Sequence, residues 1–143
     1  MFQNILVVFI TLDHTEYTYE AAFELAKKFD SKITFLKCII KSAPTFGFFH
    51  TKKEDETHEK ELQEAEESFA EIEELAKKFD VPIETKVESV ESFPEFLVSY
   101  IEENHVGLLI IDSHSFDEAE HQDHKSAINK IYKEISCPLL TLN

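Results

Sequence analysis

Three histidines, His114, His121 and His124, share the stretch from Asp112 to Lys125 with five carboxylates and no glycine. Imidazole nitrogen and carboxylate oxygen are ordinary ligands for Zn²⁺, Cu²⁺ or Ni²⁺. These histidines are therefore a candidate transition-metal set. His121 and His124 are three apart and would share a face if that segment is helical. The stretch has no HExxH pattern and no nearby cysteine, so its spacing equally fits a solvated polar loop. Ser113, Ser115 and Ser126 flank His114 and His124. No nucleophile, base and orienting group fall into a recognisable pattern, and no glycine-rich oxyanion hole is visible. No enzyme activity is assigned.

The elements that would carry this loop follow from the apolar pattern. Ile5 to Ile10 is a continuous β-branched run, as a strand buried on both faces requires. A helix runs to about Phe29, with Ala22, Phe23, Leu25, Ala26 and Phe29 at helical spacing. Lys32 to Ile40 is the second strand. Glu54 to Phe79 is a long helix with an apolar stripe through Leu62, Ala65, Phe69, Ile72, Leu75, Ala76 and Phe79. Pro82 to Val90 alternates and reads as an edge strand. A helix from Phe93 to Asn104 and a strand from Leu108 to Ile111 follow. The last helix is expected from Ser126 to Ile135, with Ile128, Ile131, Tyr132 and Ile135 inward. Pro138 to Leu142 is a short final strand. The segment ELAKKFD occurs at Glu24–Asp30 and again at Glu74–Asp80, each time joining a helix to a strand.

Strands alternating with helices imply one open parallel α/β sheet of five strands, Rossmann-like, with helices on both faces. The chain, 143 residues and 43% hydrophobic, fits a single domain over 1–143. In such sheets ligands sit outside the carboxyl ends of the strands. The candidate cleft is then lined by Ile10, Thr11 and Asp13 after the first strand, Ile39 and Ile40 ending the second, and the loop from Asp112 to Ser126.

The formal net charge of −15 excludes a nucleic-acid binder, which needs clustered cations to displace counterions. It also disfavours an anionic membrane surface. No apolar run reaches the length of a membrane span, and the start of the chain has no signal-peptide flanks. A cytoplasmic protein is expected, with Cys38 and Cys137 as free buried thiols. The segment from Lys41 to Lys53 carries Phe46, Phe48 and Phe49. Aromatics there suit internal packing, a partner surface or a lid over a ligand.

The segments ILVVFI, EAAFELAKKFDSKITFLKCII, ELAKKFDVPIETKV, YIEENHVGLLIIDSHS and ISCPLLTL together resemble the universal stress protein family over essentially the whole chain. The resemblance implies strand order 3-2-1-4-5 in an adenine nucleotide alpha hydrolase-like fold. It also implies a homodimer through the last strand (Pro138, Leu139, Leu140, Thr141, Leu142) and a stress-linked regulatory role. The nucleotide-binding branch of that family carries G-x2-G-x9-G-[ST] before the last helix. Its glycine positions fall here on Asp112, Ser115 and Lys125, and its hydroxyl position on Ser126. Only Ser126 matches. The aspartate with which that branch ends its first strand is replaced by Ile10, although Asp13 follows closely.

Glycines in a phosphate loop allow φ > 0 and close approach of N–H groups. A left-handed conformation costs other residues about 1–2 kcal/mol. A carboxylate about 8 Å from a phosphate charge repels it by roughly 2 kcal/mol at an effective dielectric of about 20. Asp112, Asp117, Glu118, Glu120 and Asp123 all lie in this stretch, and Lys125 offsets one of them. A bare triphosphate is expected to be rejected. A nucleotide bridged by Mg²⁺, or an AMP-like ligand held by its adenosine end, still fits. Ser126 serves either as N-cap of the last helix or as a phosphate contact. Three readings stand: a dimeric regulatory or adaptor protein without a standard ATP site, an adenine-nucleotide module with altered contacts, and a metal-responsive protein.

Overall fold

The computed structural model describes residues 1–9, 16–40, 52–112 and 118–142, with side chains over 1–9, 17–39, 56–112 and 126–142. Nine elements alternate along it: β1 (Asn4–Phe9), α1 (Glu16–Phe29), β2 (Lys32–Ile40), α2 (Lys52–Phe79), β3 (Ile83–Val90), α3 (Phe93–Glu103), β4 (Leu108–Asp112), α4 (Glu118–Glu134) and β5 (Leu139–Leu142). The strands form one sheet in the order β3-β2-β1-β4-β5. Every pairing is parallel.

Period-two alternation divides each strand between two cores. Ile5, Val7, Phe9, Ile33 and Phe35 face α1 and α2. Leu6, Val8, Leu36 and Cys38 face the opposite way with Leu97 and Ile101 of α3 and Ile131 of α4. The buried positions of α2 are Ala65, Phe69, Ile72 and Ala76, spaced as one helix face demands. β3 is the edge its alternating sequence predicts, and most of its residues are only half-buried.

The repeated ELAKKFD has a geometric meaning. Asp30 and Asp80 take φ of 55° and 54°, and His105 takes 51°. After each, the next amide reaches back five residues: Ser31 N to the Ala26 carbonyl (2.8 Å), Val81 N to that of Ala76 (3.2 Å), Val106 N to that of Ile101 (3.2 Å). These are Schellman caps, a turn that usually recruits glycine because its left-handed residue carries no Cβ penalty. Asp80→Gly should therefore raise the unfolding free energy by about 0.5–1 kcal/mol, read as a higher urea midpoint at unchanged slope.

Two expectations are corrected. The last helix starts at Glu118, not at Ser126. Glu118, Ala119, Glu120 and Gln122 are good helix formers, and acidic residues suit a first turn. Tyr132 does not face inward but is 70% exposed. Ile128, Ile131 and Ile135 hold the line toward the core. Tyr132 lies one position off it, on the solvent side of α4.

Candidate functional site

The strand order reverses direction at β1 and β4, the switch point where open α/β sheets receive ligands. On the α1 and α2 side, one register row crosses the carboxyl end of the sheet here. Phe9 pairs with Lys37 on one flank and with Asp112 on the other. The row thus sets a buried cation and a buried carboxylate on either side of an aromatic ring.

Asp112 is the last residue of β4 and 5% exposed. Its Oδ2 accepts a 2.7 Å hydrogen bond from the Thr18 hydroxyl, in the first turn of α1 and itself buried. This ties α1 to β4 across β1. Lys37 is 1% exposed. Its Nζ donates to Ser68 Oγ at 2.9 Å, and that hydroxyl donates onward to the Ala65 carbonyl at 2.6 Å. The ammonium also lies 5.8 Å from the ring centres of both Phe9 and Phe69. Hydrogen bonding and ring contact offset part of the cost of burying this charge.

The residues expected at the cleft are distributed unevenly. Asp112 and Ile39 are buried strand residues at the carboxyl end, and Ile40 closes β2. Ile10, Thr11, Asp13, Ser113, His114 and Ser115 lie outside the described residues. Lys125 and Ser126 are in the body of α4, not in a loop. Ser126 therefore has no N-cap role, and its side chain is exposed. Inside a helix, the amide of each residue bonds the carbonyl four positions back. The amides of Lys125 and Ser126 are committed in that way. His121 and His124 are likewise helical, with side chains outside the description. Among the described residues no group of three His, Cys, Asp or Glu side chains is placed to hold a metal ion. Phe46, Phe48 and Phe49 also fall outside the described residues.

Three polar features escaped the sequence reading. Thr18 meets Asp112 from 94 residues away, a contact with no local signal. Lys37 did have one: it continues the Ile33, Phe35 alternation toward α2. His58 Nε2 lies 3.0 Å from Ser89 Oγ, tying α2 to the carboxyl end of β3.

Cys38 is buried as expected, while Cys137 is only half-buried; both are free thiols. Burial, then the nearby Glu88 charge, pushes the Cys38 thiol up to about 12. At pH 8 only about one molecule in 10⁴ would carry its thiolate. Native protein should therefore leave Cys38 unlabelled by iodoacetamide over hours, with full labelling in urea, as counted by mass spectrometry.

A parallel five-stranded sheet with helices on both faces and polar groups at its switch point defines an open α/β fold. The profile of the universal stress protein family matches residues 1–143, and the chain belongs to that family. The UspA structure from Lactobacillus plantarum superposes with a TM-score of 0.71 at 16% identity, over 99% of this chain and 98% of that one. A universal stress protein from Archaeoglobus fulgidus in complex with dAMP gives 0.64 at 14% identity, over the whole of both chains (100% each). An Arabidopsis thaliana family member with AMP bound gives 0.63 at 11% identity, over 98% of this chain and 90% of that one. No curated protein matches the chain in sequence. Among the described residues, no helix is long and apolar enough to cross a membrane.

Proposed function

We propose that this chain is a dimeric, non-catalytic regulatory or adaptor protein of the cytoplasmic stress response that does not cradle a polyphosphate. The observation that carries this reading is the end of β4. Where the nucleotide-binding branch has its first loop glycine, this chain has Asp112, buried and fixed by Thr18 at 2.7 Å. A carboxylate held there repels a phosphate, and α4 already uses the amides of Lys125 and Ser126. Dimerisation would use β5, whose outer edge has no neighbouring strand among the described residues and whose Leu140 is 36% exposed. Phe46, Phe48 and Phe49 are the residues this reading assigns to a protein partner.

A second reading is favoured by the preserved strand order at the switch point. Two structural neighbours hold AMP and dAMP. A nucleoside monophosphate bound through its base and sugar fits the same cleft here. Calorimetric titration with AMP, ADP and ATP, with and without Mg²⁺, separates the two. The first reading expects no heat from ADP or ATP. The second expects AMP, or a nucleotide bridged by Mg²⁺, to bind, and silence in every titration would remove it. ATP binding without Mg²⁺ at least as tightly as AMP would overturn both.

A further inference from the structure

The outer edge of β3 is built to pair with itself, and we propose that a second copy of this chain docks there, antiparallel, with Thr85 facing Thr85 across the twofold axis. β3 ends the sheet, and no strand lies beyond it among the described residues. Its hydrogen-bonding direction is set by Ile33 N donating to the Pro82 carbonyl at 3.1 Å. In a parallel ladder alternate residues point toward the neighbour. Glu84, Lys86 and Glu88 therefore bond β2, while Ile83, Thr85, Val87 and Ser89 turn their main-chain groups outward.

Two copies can meet only through those outward residues, which restricts the register to odd residue facing odd. Centring on Thr85 pairs Ile83 with Val87 of the second copy, Thr85 with Thr85, and Val87 with Ile83. Each pair exchanges both main-chain hydrogen bonds. The intervening close pairs set Glu84 against Lys86 of the second copy, and Lys86 against its Glu84. These lie on the α3 face, where Glu84 already meets Lys32 at 2.8 Å and Lys86 Nζ sits 5.4 Å over the Tyr100 ring. Opposite charges directly across a strand pair are favourable and like charges are not. Moving the centre to Lys86 would set lysine against lysine and Glu84 against Glu88.

Shape separates the Thr85-centred register from one centred on Val87. A hollow of about 530 Å³, lined partly by Ala76, Val81, Pro82, Ile83 and Thr85, opens on the α2 side of the β3 edge. Centring on Thr85 delivers Val87 of the second copy beside Ile83, at the mouth of that hollow. Centring on Val87 sets Ile83 against Glu91 of the second copy, an acidic residue beyond the end of β3, and delivers no apolar side chain to the hollow. A single strand pair is a small interface, of the transient kind. The net charge of −15 on each chain opposes association at low salt. At physiological ionic strength the Debye length falls to about 8 Å, which screens that repulsion but leaves contact pairs.

The test is a disulfide at the axis. Facing residues in a hydrogen-bonded antiparallel pair have Cα atoms about 5.5 Å apart, inside the disulfide range of about 4.4–6.8 Å. The full chain carrying Thr85→Cys, with Cys137→Ser to remove the half-buried thiol, should form a covalent dimer under mild oxidation. Ser89→Cys, on the same edge but without its own mate opposite, should link at least about tenfold more slowly. Sedimentation across micromolar to millimolar protein supplies the second reading. Lys86→Glu should weaken association by about tenfold, and the swap Lys86→Glu with Glu84→Lys should restore it. Equal linking at 85 and 89, or rescue by Glu88→Lys in place of Glu84→Lys, overturns the pairing. Pairing through β5 does not bring Thr85 to the axis, so the crosslink reads this edge alone.

Discussion

Replacing Phe35 with alanine should lower the unfolding free energy by about 3–5 kcal/mol. Phe35 is fully buried at the centre of the sheet's α1 and α2 side. Its ring stacks on Phe9 at 6.2 Å, meets Tyr19 edge-on at 6.2 Å and packs on Phe23 at 5.7 Å. Those partners come from β1 and α1, so the cavity would open between three elements, none free to collapse alone. For a chain of this size the loss corresponds to a melting temperature lower by roughly 6–20 °C. Phe35→Leu keeps most of the volume and should cost roughly half as much. A urea titration of both variants checks this. A loss below about 1 kcal/mol for alanine would mean that the aromatic cluster is not the mechanical centre of the fold.

That centre was largely legible in the sequence, because it rests on periodicity. Ile5 to Phe9 and Leu108 to Ile111 are apolar without interruption, since both of their faces are covered. Pro82 to Val90 alternates, since it ends the sheet. Lys32 to Ile40 was bounded to the residue. The repeated ELAKKFD marked a junction, and the positive φ of Asp30 and Asp80 gives it a backbone reason.

The site was less legible, for two physical reasons. The family motif implies a loop over Glu118 to Lys125, although that run is composed of helix formers with acids at its amino end. Local propensity and helix dipole prevailed there, and Ser126 fell inside α4. The second reason is range. Thr18 belongs to a polar segment after the first strand, and Asp112 to the end of the fourth. Only the winding of the sheet brings them together. In the sequence Asp112 stands out only as a missing glycine. Its role as the acceptor of a buried hydrogen bond is a property of the folded chain.

The bond between Thr18 and Asp112 therefore carries the second large expectation. Thr18→Val preserves shape and removes the donor to a buried carboxylate. A hydrogen bond to a charged group contributes about 1.5–3 kcal/mol, and that is the range of the expected loss. Thr18→Ser keeps the hydroxyl and gives up one buried methyl, so it should cost about 1 kcal/mol. The ordering, valine worse than serine, is opposite to what hydrophobic burial alone would produce. Hydrogen exchange adds a spatial test. The bond clamps α1 onto the end of β4, so amides from Leu109 to Asp112 should exchange faster in Thr18→Val, while those of β2 and β3 change only with global stability. If valine proves neutral, Asp112 is held by other groups, and the case for a rigid carboxylate guarding the switch point against phosphate loses its anchor.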